Sequence, residues 1–250
     1  MTDDPALSPA TRADLAGLPA DVAPLLLGGV LRVSVAGSTV AVRLTEVEAY
    51  HGQGTGPRSD PGSHARMGRT ARNATMWGEP GHLYVYLSHG IHSCVNVVCG
   101  PEGTAGGILL RAGEVIEGAD AAAARRAAAR SPRDLARGPG RLGDAVGLRH
   151  PQHDGIDVVT GAEQAGAVAR LWLPARPLVD IATGPRVGVA GLAGTEAFPW
   201  RFWVAGDRTV SAFRWGRGAA DAAATLRAGP LTGTQAARTS RSTAPTTQER

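Results

Sequence analysis

The sequence predicts an α+β fold: a single mixed domain with a curved antiparallel sheet, flanking helices and a protruding β-hairpin. Three observations carry that expectation. Strand-like and helix-like runs follow one another without βαβ regularity, which argues against a parallel sheet. A hairpin signal lies mid-chain, where the β-rich run Leu83–Leu87 and the return run Ser93–Val98 flank the turn Ser88-His89-Gly90. The length of 250 residues, with 43% hydrophobic and 19% charged residues, is an ordinary globular balance able to bury a sizeable core.

In chain order, Thr11–Leu27 reads as helical, with Leu15, Leu18, Val22, Leu25 and Leu26 as its apolar positions and Gly28-Gly29 as its stop. Val30–Val35 and Val40–Tyr50 read as strands around the turn Ala36-Gly37-Ser38. His51–Gly68 is rich in Gly, Pro, Ser, Asp and His and reads as a long loop, a kind of segment that usually carries function. After the hairpin, Ile108–Ala112 reads as a strand and Ala119–Arg130 as an Ala-rich helix closed by Ser131-Pro132. Arg141–Leu148 reads as a short helix, and Val187–Val189 and Arg201–Val204 as late strands. The domain organisation is therefore a flexible N-terminus over 1–10, a folded domain over 11–215, and a disordered, Arg-containing tail over 216–250.

Composition narrows the class. No long apolar run spans a membrane, and the acidic, proline-containing start does not resemble a secretory signal. Cys94 and Cys99 are poorly spaced to bridge along one strand, and no Cys or His cluster has zinc spacing. A reduced, cytoplasmic protein is expected, with no metal or cofactor. Every basic residue is arginine. From Arg214 onward six arginines face two acidic residues, which accounts for the whole net charge of +4. A nucleic-acid partner is compatible with that charge.

Residues suited to chemistry concentrate between Thr45 and Asn96. The only three tyrosines, Tyr50, Tyr84 and Tyr86, lie there beside His51, His64, His82 and His89. Such a cluster suits a pocket that sandwiches a planar ring, although tyrosine also favours strands generally. Glu46 and Glu48 alternate along a strand, so both face one side, and Tyr50 continues that face. A carboxylate among aromatic rings can act as a general base toward water; a solvated strand face is the plainer alternative. Arg66, Arg69 and Arg72 form a basic patch that could follow successive phosphates or simply be solvated.

A longer series of motifs runs through the chain. Thr45-Glu46-Val47-Glu48-Ala49-Tyr50, Asp60–His64, Gly68–Asn73, Met76, Pro80–Tyr86, Gly90–Asn96 and Leu109–Ala112 follow in order. Gly138–Leu142, Pro185–Val189 and Trp200–Trp203 continue it. This series resembles the 3-methyladenine (alkyladenine) DNA glycosylases, the class without a helix-hairpin-helix, from about Leu25 to Ser211.

The resemblance implies a base-excision enzyme that flips an alkylated or deaminated purine from duplex DNA and hydrolyses its N-glycosidic bond. The lesions implied are 3-methyladenine, with 7-methylguanine and hypoxanthine as further candidates. Residue by residue, it implies that Glu48 is the general base and that Arg111 holds the water and a phosphate. It makes Tyr50, His64 and Tyr86 the walls around the flipped base and Tyr84 a supporting aromatic. Asn96 would crowd the guanine amino group. His89 stands where the family usually has a tyrosine wedge, and Ile91 is a candidate substitute. Arg69 and Arg72 are the expected phosphate contacts.

The chain has no lysine, so Schiff-base lyase chemistry by a Lys amine is excluded and simple hydrolysis is expected. The partner implied is double-stranded DNA containing damaged purines, bound by a monomer without a membrane and near the nucleoid. A non-catalytic damaged-DNA binder, or a hydrolase of nucleosides or RNA, would be the competing classes.

Overall fold

In the computed structural model, which describes residues 6–56 and 59–228, the chain folds around one open sheet of nine strands. The strands are β1 (Leu7–Pro9), β2 (Val30–Val35), β3 (Ser38–His51), β4 (Leu83–Ser88), β5 (His92–Val98), β6 (Gly106–Glu117), β7 (Ala167–Pro174), β8 (Ile181–Gly184) and β9 (Arg201–Val204). The helices are α1 (Arg12–Leu15), α2 (Pro19–Val22), α3 (Ala119–Arg125), α4 (Pro139–Val146) and α5 (Ala219–Ala228), with short 3-10 turns between them. Their pairings are antiparallel in the order β1-β7-β2-β3-β6-β5-β4, and β9 joins β3 and carries β8. The α+β expectation is met.

Strand β3 decides which side chains reach the site. Val40, Val42 and Leu44 enter the apolar core, and so do Val47 and Ala49, which have the opposite parity. Alternation along a strand forbids this unless the register slips. It does slip: pairing with β6 shifts between Leu44 and Glu46 and again between Glu46 and Val47. These irregularities bend the strand, as bulges do, and turn Glu46, Glu48 and Tyr50 away from the core.

Neighbouring strands keep the same division. Leu83 and Val85 of β4, Val95 and Val97 of β5, and Ile108 and Leu110 of β6 enter the core, where Leu142, Ala145 and Val146 of α4 join them. Tyr84, Tyr86, Cys94, Asn96, Leu109 and Arg111 occupy the alternate positions and line a cavity on the other face. One face of the sheet thus packs the core and the other lines the cavity.

Several expectations need correcting. Thr11–Leu27 is not one helix, because Pro19 and Pro24 lack backbone donors and divide it into α1, α2 and a 3-10 turn. Helix α3 ends at Arg125 instead of Arg130; the chain turns so that the Arg126 Nε donates to the Leu135 carbonyl. Val187–Val189 is a turn, not a strand, with Gly188 at φ +72°.

Strand β7 was not anticipated, although Ala167, Ala169, Leu171 and Leu173 alternate into the core. Strand β8 was not anticipated either. Leu7–Pro9 pairs with β7, so the N-terminal segment read as flexible reaches the sheet. Ala219–Ala228 forms α5 inside the supposed tail, where its buried Ala219 and Ala223 find a partner in the 3-10 turn Gly191–Gly194. The rest of that tail lies outside the described residues. Cys94 and Cys99 are free and buried.

Candidate active site

The cavity has a volume of about 980 Å³, within the usual range for sites that enclose a small molecule. Tyr84 and Tyr86 stack with centroids 5.4 Å apart, and the His64 ring meets Tyr86 edge-on at 4.6 Å. The Tyr84 hydroxyl lies 3.3 Å from His64 Nδ1. The Asn96 amide donates to the Tyr84 carbonyl at 3.0 Å, which fixes the side chain of a cavity-lining residue. His64 comes from the long loop, which is held by the Asn73 amide donating to the His64 and Gly68 carbonyls.

Beneath these rings lies a buried ionic network. Glu48 is fully buried; one oxygen accepts the Val187 N–H at 2.6 Å and the other the Tyr50 hydroxyl at 2.8 Å. The Arg111 Nη1 reaches Glu48 more loosely at 3.4 Å, while its Nε donates to Glu46 at 3.0 Å. Glu46 is saturated further by Arg201 at 2.7 Å and by the Ser211 N–H and hydroxyl at 2.7 and 3.0 Å. Two carboxylates on one strand face therefore have different freedom: Glu46 is locked, and Glu48 adjoins Tyr50 and Arg111, both of which line the cavity.

The environment shifts several ionisations. Burial opposes the Arg111 charge, but Glu48 and Glu46 outweigh it and raise its pKa. Burial lifts the Tyr84 phenol to about 12 and raises those of Tyr50 and Tyr86 as well, so all three remain neutral at physiological pH. Withdrawal from water, assisted by Arg72 and Arg66, lowers the His64 pKa.

Comparison with known proteins shows which family the chain belongs to. The family model for methylpurine-DNA glycosylase (MPG) matches residues 14–208. The chain belongs to the methylpurine-DNA glycosylase family. It is accordingly a DNA glycosylase, a hydrolase of N-glycosyl bonds. A protein of Streptomyces avermitilis is 47% identical over 214 residues, covering 86% of this chain and 96% of its own length. One of Nocardia farcinica is 50% identical over 211 residues, covering 84% and 93%. Both carry the name "Putative 3-methyladenine DNA glycosylase".

Within this methylpurine-DNA glycosylase, the residues singled out in the sequence divide into two groups. Tyr50, His64, Tyr84, Tyr86, Asn96 and Arg111 line the one cavity, with Glu48 directly behind Tyr50 and Arg111. His89 borders the same cavity at the hairpin tip. Ile91 does not line it; it projects beside the tip and is 73% exposed. Arg69 and Arg72 are exposed at the start of the 3-10 turn Ala71–Trp77 and also lie off the cavity wall, whereas Arg66, Arg126 and Arg141 border it.

Sequence reading missed the supports. Arg186 is fully buried, forms a two-point ion pair with Asp60 at 2.7 and 2.8 Å, and donates to the Ala49 and Ala193 carbonyls. Its guanidinium also sits 4.5 Å from the Tyr50 ring centroid. Both residues lie inside quoted motifs, Asp60–His64 and Pro185–Val189, which was the available signal. No spacing rule joins positions so far apart in the chain.

Proposed function

We propose that the chain is a monofunctional glycosylase of base-excision repair that flips an alkylated or deaminated purine from duplex DNA and hydrolyses its glycosidic bond. The observation that carries this reading is the buried Glu48 carboxylate, held beside Arg111 behind the aromatic wall formed by Tyr50, Tyr84, Tyr86 and His64. Glu48 takes a proton from a water that attacks the sugar carbon. The 3.4 Å Glu48–Arg111 contact is the loosest in the network, which leaves Glu48 the weakest-held partner there for that water. Arg111 orients the water and steadies a neighbouring phosphate.

Tyr50, Tyr86 and His64 enclose the flipped base, with Tyr84 behind them. A purine alkylated on a ring nitrogen is cationic, leaves readily and is attracted to electron-rich rings. The lowered pKa of His64 fits that role, because a neutral imidazole does not repel the cation. Asn96 crowds the guanine amino group and helps exclude the normal base. Ile91 and His89 at the hairpin tip fill the gap left in the duplex. Arg69 and Arg72 contact its phosphates. The substrate class is 3-methyladenine first, with 7-methylguanine and hypoxanthine behind it, and one chain carries the whole site.

The test is base release from duplex oligonucleotides carrying 3-methyladenine or hypoxanthine, comparing the natural chain with Glu48→Gln. Release by the natural chain and none by the variant, with lesion binding retained, supports the proposal. Tight lesion binding with no release by either chain would instead leave a non-catalytic binder.

A further inference from the structure

Beyond residue 208, where the family match ends, the chain does not leave the site. The Val210 carbonyl accepts the Arg137 Nε at 2.9 Å, next to the cavity-lining turn at Gly138. Ser211 bonds Glu46 through its N–H and hydroxyl, and Arg111 donates to its hydroxyl at 3.2 Å. The Arg214 carbonyl then accepts the Gly188 N–H, and the Arg217 carbonyl the Gly191 N–H, each at 2.9 Å. Gly216 packs so closely on the Val189 backbone that a side chain there would collide with it. Residues 210–217 are thus a strap from one cavity wall (Gly138–Arg141) to the other (Val187–Ala190), with α5 anchoring its far end.

What the strap shows to solvent is not what a structural tie requires. Phe213, Arg214, Trp215 and Arg217 are all exposed. Phe213 and Trp215 meet edge-to-face with centroids 4.8 Å apart, so the aromatic surface is held in place. Among the described residues, Arg214 and Arg217 have no carboxylate within ion-pair distance, unlike the exposed Arg32, Arg208 and Arg227. Uncommitted guanidiniums interleaved with fixed aromatic faces, on a segment whose backbone is tied to the cavity-lining Gly188, suit a nucleic-acid strand. Arg66, Arg126 and Arg141 border the cavity itself and add positive charge there.

We propose that the strap is a second DNA-docking element, which grips the strand flanking the flipped nucleotide opposite the β4–β5 hairpin. Arg214 and Arg217 neutralise phosphates of that strand, and Trp215 packs against a sugar or base face beside them. The proposal rests on the glycosylase reading for its partner, duplex DNA, and adds a contact surface to it.

The test measures the affinity of the full-length protein for a lesion-bearing duplex between about 50 and 200 mM salt. The proteins compared are the natural chain, Arg214→Gln/Arg217→Gln, Trp215→Ala and Glu48→Gln, each first checked for an unchanged unfolding midpoint. Each lost phosphate contact lowers the slope of log affinity against log salt by about 0.9, so the double variant is expected to lose nearly 2. Trp215→Ala is expected to weaken binding severalfold at an unchanged slope, because an apolar contact releases no counterions. Glu48→Gln is expected to keep the full slope. An unchanged slope in the double variant, or no duplex binding by the natural chain, overturns the proposal. Failure of the natural chain to release any base would remove the catalytic reading while leaving the slope comparison intact.

Discussion

The floor of the cavity and the tip of the β4–β5 hairpin share a sheet but are built in opposite ways. On the floor, Glu46, Glu48, Arg111, Arg186 and Asp60 are buried, and each has two or more hydrogen bonds. At the tip, His89 and Ile91 are exposed, and the Ile91 N–H donates to the Ser88 carbonyl across the turn. His89 and Gly90 both take positive φ there, +51° and +70°, as primed hairpin turns require. The floor must hold a reacting geometry, and any unpaired buried charge would be costly. In the proposed reading the tip enters the duplex, and its surface is uncommitted.

The sharpest way to break this contrast is at Glu48. Glu48→Gln should cut the rate of base release by at least about a hundredfold, the scale of general-base catalysis, in a single-turnover assay on duplex DNA. If excision persists near the natural rate, the floor is not the reacting centre.

Arg186→Met tests whether the floor is also a stability element. Removing it leaves Asp60 buried without its partner, and urea unfolding should show a loss of about 3–5 kcal/mol. A change below about 1 kcal/mol would mean that the surroundings relax and the network is less rigid than its geometry implies.

The tip should behave differently. His89→Tyr adds apolar stacking area at an exposed turn, so unfolding should stay within about 0.5 kcal/mol of the natural protein. Binding to an abasic duplex should tighten severalfold. No gain would assign the gap-filling role to Ile91, and Ile91→Ala would then be expected to weaken binding.

The smallest effect concerns pH. His51 and His153 are buried, each has an Nε2 without a hydrogen-bond partner among the described residues, and burial lowers both pKa values. In the unfolded chain these rings titrate near about 6.5. Below that pH the unfolded state takes up protons that the folded state refuses, so stability should fall as the pH drops below about 6.5. The urea midpoint should be lower at pH 5.5 than at pH 7.5. Equal midpoints would mean that other groups compensate.

Much of this was legible in the sequence because it depends on short-range patterns. The hairpin, the tyrosine cluster and the alternation of Glu46, Glu48 and Tyr50 each lie within a few residues, and the motif series carried the family. Strand β7 was equally legible from its alternating burial positions and was missed. Strand β1 and helix α5 were not legible: three residues, or a short Ala-rich helix, are held in place by β7 or by the 191–194 turn.

The sequence alone determined which side chains were available: a carboxylate, an arginine, three tyrosines and a histidine suited to a purine, and no lysine for lyase chemistry. Tertiary structure decided where they point and what holds them. Register shifts in β3 against β6 on either side of Glu46 reverse the parity of the strand, so Glu46 and Glu48 turn away from the core and toward Arg111. Packing then distinguished two like carboxylates, locking Glu46 between Arg111, Arg201 and Ser211 and leaving Glu48 beside the cavity wall. Alternation is a local property of the chain, but a bulge and an ion pair are agreements between segments far apart in sequence, and only the folded molecule brings those segments together.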